Sequence, residues 1–205
     1  MGPLRAIIFD FGGVLLDWDP RNLYRRFFPG RPRAMEAFLA HIEFPEWNAA
    51  QDGGRPFAEG VNELSSRFPQ YAHLIRAYPA YWQASREYAG PVAGSAQILR
   101  RLKSRGVRLY GLSNWSFETF PIVRAQYGFF RLFDDILISG EASVIKPDPA
   151  VFLHLLKRID LQPPECLFID DSMPNIDCAN RLGFATVHFQ SSEQLELELT
   201  ALGAL

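Results

Sequence analysis

The chain has 205 residues, 48% hydrophobic and 21% charged, with a formal net charge of −2. That is ordinary globular usage, which excludes a disordered chain and lets roughly 70% of the unfolded surface be buried without stapling. The near-neutral balance excludes a nucleic-acid footprint, and Arg21, Arg25 and Arg26, at helical spacing, read as a solvated helix face.

The first predicted element is a strand over Ala6-Ile7-Ile8-Phe9, an apolar run without helical period that stops at Asp10. Residues 20–89 then read as helices: one after Asp19-Pro20, one after Pro32, one after Pro56 and one through Tyr81–Tyr88. A polar loop, Gln51-Asp52-Gly53-Gly54-Arg55, lies among them, and no strand is predicted. From residue 95 the rhythm changes. A helix over 95–105 carries Ile98, Leu99 and Leu102 on one face and ends at Gly106. A strand over Val107–Leu112 stops at Ser113-Asn114, and another covers Ile136–Ile138. Asp148 caps a helix that starts at Pro149 and buries Val151, Phe152, Leu155 and Leu156. The strand Cys166–Ile169 stops at Asp170-Asp171, a helix over 173–182 ends at Gly183, and the last strand is Ala185–His188. This alternation predicts an α/β fold with a doubly wound parallel sheet. A helical insertion, bounded by Pro20 and Gly90-Pro91, interrupts it after the first strand.

Cys166 and Cys178 have no CxxC spacing, so a reduced, cytoplasmic chain is expected. His41, His73, His154 and His188 are scattered and never paired at metal-ligand spacing. Met1–Arg5 leads straight into the first strand, so no signal peptide is expected, and no apolar run is long enough for a membrane span.

In open α/β sheets the ligand site lies beyond the carboxyl ends of the strands. Three strands deliver Asp10, Ser113 with Asn114, and Asp170 with Asp171 to that edge. One aspartate there is usually a turn residue or helix cap; three polar strand ends in one small sheet point to a site. Three carboxylates about 5 Å apart repel by roughly 3 kcal/mol per pair at an effective dielectric near 20, so a cation belongs among them. Lys146, held in Val144-Ile145-Lys146-Pro147, is one candidate. Magnesium, which takes hard oxygen ligands, is the other.

Four segments carry a resemblance: Phe9-Asp10-Phe11-Gly12-Gly13-Val14-Leu15, Leu112-Ser113-Asn114, Ile145-Lys146-Pro147-Asp148-Pro149 and Phe168-Ile169-Asp170-Asp171-Ser172. In this order and at these distances the chain resembles the haloacid dehalogenase superfamily along nearly its whole length. The resemblance implies a Rossmann-like core of residues 1–19 and 90–205, with residues 20–89 as an all-helical, mobile cap domain. It implies that Asp10 attacks a phosphorylated substrate and forms an aspartyl phosphate, which water hydrolyses. Magnesium would be held by Asp10, the Gly12 carbonyl, Asp171, and Asp170 directly or through water. Ser113, the Asn114 amide and Lys146 would hold the phosphoryl oxygens, beside the Gly12-Gly13 turn. The cap loop Glu46–Arg55 falls where family members select substrate, which makes Trp47, Asn48, Gln51 and Arg55 candidates. Trp47 reads equally well as a cap-to-core anchor, and Trp115 as pocket wall or packing.

One position departs from the pattern. Phosphatases of the family commonly carry a second aspartate two residues after the nucleophile, as general acid and base, and here that position is Gly12. Such a group contributes about 10²–10⁴ in rate. Asp17 could replace it if the chain folds back, while Asp19 suits helix capping. Dehalogenases of the family also lack that aspartate, since a halide leaves without a proton, and Ser113-Asn114-Trp115-Ser116 is similar to their second motif. They use no metal and lack the acidic pair, so Asp170-Asp171 favours a magnesium phosphatase acting on a small phosphorylated metabolite such as a sugar phosphate. A non-catalytic phosphate-binding protein would not need Asp10. A serine hydrolase built on Ser113 lacks a GxSxG turn and a placed histidine.

Overall fold

The computed structural model describes residues 4–84 and 90–205. It opens with strand β1 (Ala6–Phe9), followed by α1 (Pro20–Tyr24), α2 (Pro32–His41), α3 (Phe44–Asp52), α4 (Phe57–Arg67) and α5 (Ala72–Ala84). Helix and strand then alternate through α6 (Ser95–Ser104), β2 (Arg108–Ser113), α7 (Phe120–Gln126), β3 (Asp135–Ile138), α8 (Ser139–Ala142) and α9 (Pro149–Ile159). The chain closes with β4 (Cys166–Asp170), α10 (Met173–Leu182), β5 (Ala185–His188) and α11 (Ser192–Ala201).

The strands form one parallel sheet in the order β3-β2-β1-β4-β5. Alternate residues feed opposite faces, as a period of two requires. Ala6, Ile8, Tyr110, Leu112, Leu137 and Phe168 pack on Val151, Phe152 and Leu155 of α9 and Ile176 and Ala179 of α10. Ile7, Phe9, Leu109, Ile136, Leu167 and Ile169 pack on the other face, against Ile98, Leu99 and Leu102 of α6 and Leu195 and Leu199 of α11. With both faces covered, the strands need apolar residues at successive positions, which is why they read as continuous runs. The chain winds outward through β2 and β3, then crosses β1 to lay down β4 and β5. That reversal puts the switch point of the sheet at β1 and β4, whose carboxyl ends carry Asp10 and Asp170.

Helices α1 to α5 form the cap, and its interior is aromatic. Tyr24, Phe38, Phe44, Trp47, Phe57 and Tyr78 are all buried. Their rings meet at 5.1 Å for Tyr24–Phe38 and for Phe44–Tyr78, and at 5.8 Å for Trp47–Tyr78. The apolar cluster continues into the α6 face of the sheet, so cap and core share one core. Trp82 of α5 meets Trp115 of the core at 5.6 Å, edge to face. The Phe57 N–H donates to Glu118 across the same seam at 2.7 Å.

Residues 44–52 are a helix, where the sequence suggested a loop over Glu46–Arg55. The buried positions Phe44, Trp47, Asn48 and Gln51 keep helical spacing, but two of the four are polar, which hides the apolar period. Helices α7, α8 and α11 were also not expected. The helix expected at Tyr81–Tyr88 begins earlier, at Ala72, and residues 85–89 lie outside the described residues. Asp19 and Asp148 cap α1 and α9, accepting from Arg21 N and Ala150 N at 2.8 Å each.

Candidate active site

The carboxyl ends of β1, β2 and β4 and the loop before α9 converge on one cleft beneath the cap. The cleft is about 490 Å³ and is lined by Asp10, Gly12, Gly13, Ser113, Asn114, Lys146, Asp171 and Asn175 from the core. The cap contributes Arg21, Phe44, Pro45, Asn48, Ala49 and Asp52.

Lys146 is buried at the centre. Its ammonium lies 3.0 Å from Asp10 Oδ1 and 2.6 Å from Asp170 Oδ2, and donates to the Leu112 carbonyl at 2.9 Å. Asn114 fixes the loop that carries it: Lys146 N donates to Asn114 Oδ1 at 2.8 Å, and Asn114 Nδ2 donates to the Lys146 carbonyl at 2.9 Å. Asp170, fully buried, accepts from Ser172 N at 2.8 Å and from Asn175 Nδ2 at 3.0 Å. Asp10 Oδ1 also accepts the Phe11 N–H at 2.7 Å. These charge-assisted bonds hold both carboxylates in fixed orientations.

Burial pushes the Asp10 carboxyl up to about 7; the Lys146 cation opposes this, and the charge of Asp170 adds to it. Burial works against the Lys146 ammonium, yet Asp10 and Asp170 outweigh it and hold its pKa above the ordinary lysine value. Lys146 is therefore cationic throughout the neutral range. Burial and the neighbouring Asp170 likewise raise Asp171.

Asp10, Asp170 and Asp171 each offer an oxygen, all within 4.8 Å of one another, and among the described residues they are the one such group of His, Cys, Asp or Glu side chains. An all-oxygen, carboxylate-rich set fits a hard divalent cation such as magnesium, which these three residues would hold together with the Gly12 carbonyl.

The two glycines after Asp10 differ. Gly13 sits at φ +73°, and a Cβ on it would lie 2.1 Å from Asp171 Oδ2, so only glycine lets the turn press against that carboxylate. Its N–H is committed to the Leu16 carbonyl at 2.8 Å. A Cβ on Gly12 would meet only Trp18 Cβ, at 4.0 Å. A Cβ fits there without a clash.

Of the cap candidates, Asn48 lines the cleft. Trp47 and Arg55 are not brought to it. Trp47 is buried in the cap, donating from Nε1 to the Gly60 carbonyl at 2.9 Å. Arg55 is held by Gln51 and Glu63 at 2.6 Å each. Gln51 is buried and donates to the Trp47 carbonyl. Asp17 is exposed on a separate cavity beside Pro91 and Ser192. Trp115 is both wall and packing: it meets Trp82 edge to face and lines a second cavity of about 60 Å³ with Trp18, Phe57, Tyr78 and Trp82. Gly12, Asn48, Asp52 and Asn114 line this cavity as well as the cleft. Asp52 and Asn175 were not among the sequence candidates. The spacing of Asp52 from Asn48, one helical turn, would have revealed it only if that segment had been read as helix.

The model of the haloacid dehalogenase-like hydrolases matches residues 4–183. A sesquiterpene phosphatase of Aspergillus oryzae is 28% identical over 201 residues, covering 97% of this chain and 96% of that protein. A drimenol cyclase of Aspergillus calidoustus is 27% identical over 198 residues, 96% of this chain but 36% of that longer protein, so the chain spans about a third of its length. Among solved structures, a haloacid dehalogenase family enzyme of Bacteroides thetaiotaomicron, in complex with magnesium and inorganic phosphate, superposes with a TM-score of 0.66 at 22% identity. That likeness covers 92% of this chain and 95% of the other. The order of the four motifs, the parallel sheet that gathers them and the match over residues 4–183 agree: the chain belongs to the haloacid dehalogenase-like hydrolases.

Proposed function

We propose that this hydrolase is a magnesium-dependent phosphatase of small phosphorylated metabolites, working through an aspartyl phosphate on Asp10. One observation carries the reading. Three carboxylates gather within 4.8 Å of one another with a single ammonium, paired to Asp10 and Asp170, which at full ionisation leaves a formal charge of −2 in the cleft. A divalent cation cancels that charge and draws in a phosphate dianion. Without one, the Asp170-Asp171 pair would be costly beside Asp10.

When bound, magnesium would neutralise phosphoryl oxygens as charge builds in the transition state. Asp10 adds a carboxylate oxygen to phosphorus as the bond to the leaving oxygen breaks. Ser113 and Lys146 hold the remaining phosphoryl oxygens. Water then attacks the aspartyl phosphate, releasing inorganic phosphate and restoring the Asp10 carboxylate. The aromatic walls of the smaller cavity suit a leaving group with apolar surface or a ring face. The Aspergillus oryzae relative, a phosphatase, and the Bacteroides structure with magnesium and phosphate support the same reading.

The test is phosphate release from p-nitrophenyl phosphate. EDTA should stop it and added magnesium should restore it, with Asp171→Ala weakening magnesium more than Asp170→Ala. Chloride release from 2-chloropropionate that persists in EDTA, without phosphatase activity, would establish a dehalogenase instead.

A further inference from the structure

A phosphatase that cleaves an alkyl ester must protonate the departing oxygen, and at position 12 the chain offers only a glycine. The space over Gly12 is nevertheless bordered by a carboxyl group. Asp52, the last residue of α3, lines both the main cleft, with Asp10, and the smaller aromatic cavity, with Gly12. A substrate with its phosphoryl group at Asp10, Ser113 and Lys146 and its remaining atoms in the aromatic cavity would pass its bridging oxygen between Gly12 and Asp52.

Asp52 is held for such a task. Asn48 Nδ2 donates to its Oδ2 at 2.8 Å. Its backbone carbonyl accepts the Ser139 hydroxyl at 2.5 Å, and that hydroxyl in turn accepts the Trp115 N–H at 3.0 Å. Through that carbonyl the residue is tied to the core although it belongs to the cap. Its surroundings also favour the acid form. Burial raises the carboxyl to about 7; the Ser116 N–H opposes the rise and the charge of Asp10 adds to it. The carboxyl end of a helix likewise disfavours an anion. Rival donors fit less well. Asp17 is exposed elsewhere, Asp19 is occupied as a helix cap, and burial pushes Tyr78 well above the usual phenol range. Glu118 is turned to the Phe57 N–H, and Glu141 of α8 is exposed.

We propose that Asp52 is the general acid and base of this site, supplied by the cap in place of the side chain that position 12 lacks. The assignment rests on the phosphatase reading. In the first step Asp10 bonds to phosphorus, the bond from phosphorus to the leaving oxygen breaks, and the proton of Asp52 goes to that oxygen. The products are the alcohol, the aspartyl phosphate and the Asp52 carboxylate. In the second step Asp52 takes a proton from the attacking water, phosphorus leaves Asp10, and inorganic phosphate departs with both side chains in their starting states.

The experiment is kcat/KM across phosphate esters of graded leaving-group pKa, from p-nitrophenyl to simple alkyl, in the presence of magnesium. This ratio reports the first transfer irrespective of how fast the aspartyl phosphate is hydrolysed. The wild type should show a shallow dependence. Asp52→Asn, nearly isosteric and checked by its melting curve, should lose about 10²–10⁴-fold on alkyl esters and far less on the aryl ester, which needs no proton. Gly12→Asp in the Asp52→Asn background should recover alkyl turnover, because a Cβ at position 12 meets nothing closer than Trp18 at 4.0 Å. A steep dependence in the wild type would overturn the role of Asp52 without recourse to any variant, as would an Asp52→Asn protein with the wild-type dependence. No phosphate release from any ester, aryl included, would bring down the phosphatase reading itself.

Discussion

The edge of the sheet and the underside of the cap face each other across one cleft, yet they are built in opposite ways. On the sheet side, the carboxylates sit where buried strands end and are fixed by short charged contacts, such as Lys146 to Asp170 at 2.6 Å. On the cap side, the polar groups apart from Arg21 belong to one helix, α3, which packs against aromatic rings. The ionic side loses most from the removal of a single charge, because its partners are left buried and unpaired. The aromatic side spreads its stabilisation over many contacts and tolerates single changes better. This division suits a fixed centre for chemistry and a cap surface that can vary with the substrate.

The largest expected effect lies on the ionic side. Asp10→Asn should lower phosphate release by roughly 10⁴–10⁶-fold, the scale seen when a covalent nucleophile is removed. The fold should survive, since the amide is close in shape and relieves charge on a crowded edge. Near-wild-type turnover would break the assignment.

Lys146→Met sharpens the comparison through stability. It removes the cation shared by Asp10 and Asp170, and breaking a buried pair in this way costs about 3–5 kcal/mol. The melting temperature should fall most at alkaline pH. Unpaired carboxylates have raised folded-state pKa values, so protonation replaces the lost cation as the pH falls, and the deficit should shrink. A deficit that grew on acidification would contradict this account.

The smallest effect belongs to the cap. Trp47→Phe removes the 2.9 Å bond to the Gly60 carbonyl while keeping a ring among Phe44, Phe57 and Tyr78. A loss near 1 kcal/mol is expected, or about 2–4 °C in melting temperature for a chain of this size, with little change in kcat/KM. A collapse of kcat/KM at unchanged stability would return Trp47 to the substrate-selecting role that its place in the sequence suggested.

How much could be read in advance follows the same division. A strand buried on both faces is a short apolar run, and its end is marked by the first polar residue, so Asp10, Ser113 and Asp170 announce themselves locally. Lys146 stands out for a similar reason, between an apolar run and the proline-led start of α9. The cap gave no comparable signal. Phe44, Trp47, Asn48 and Gln51 share a buried face, but half of it is polar, with Asn48 and Gln51 bonded one helical turn away, while Trp47 finds its partners in distant Gly60 and Tyr78. The position of Asp52 likewise depends on Ser139, more than eighty residues away along the chain. The sequence by itself therefore determined the sheet, its strand ends and the family, because those depend on local runs of hydrophobicity. Only the tertiary structure decided that Trp47 turns inward while Asn48 and Asp52 face the cleft, because helix orientation is set by packing against surfaces that no local pattern records.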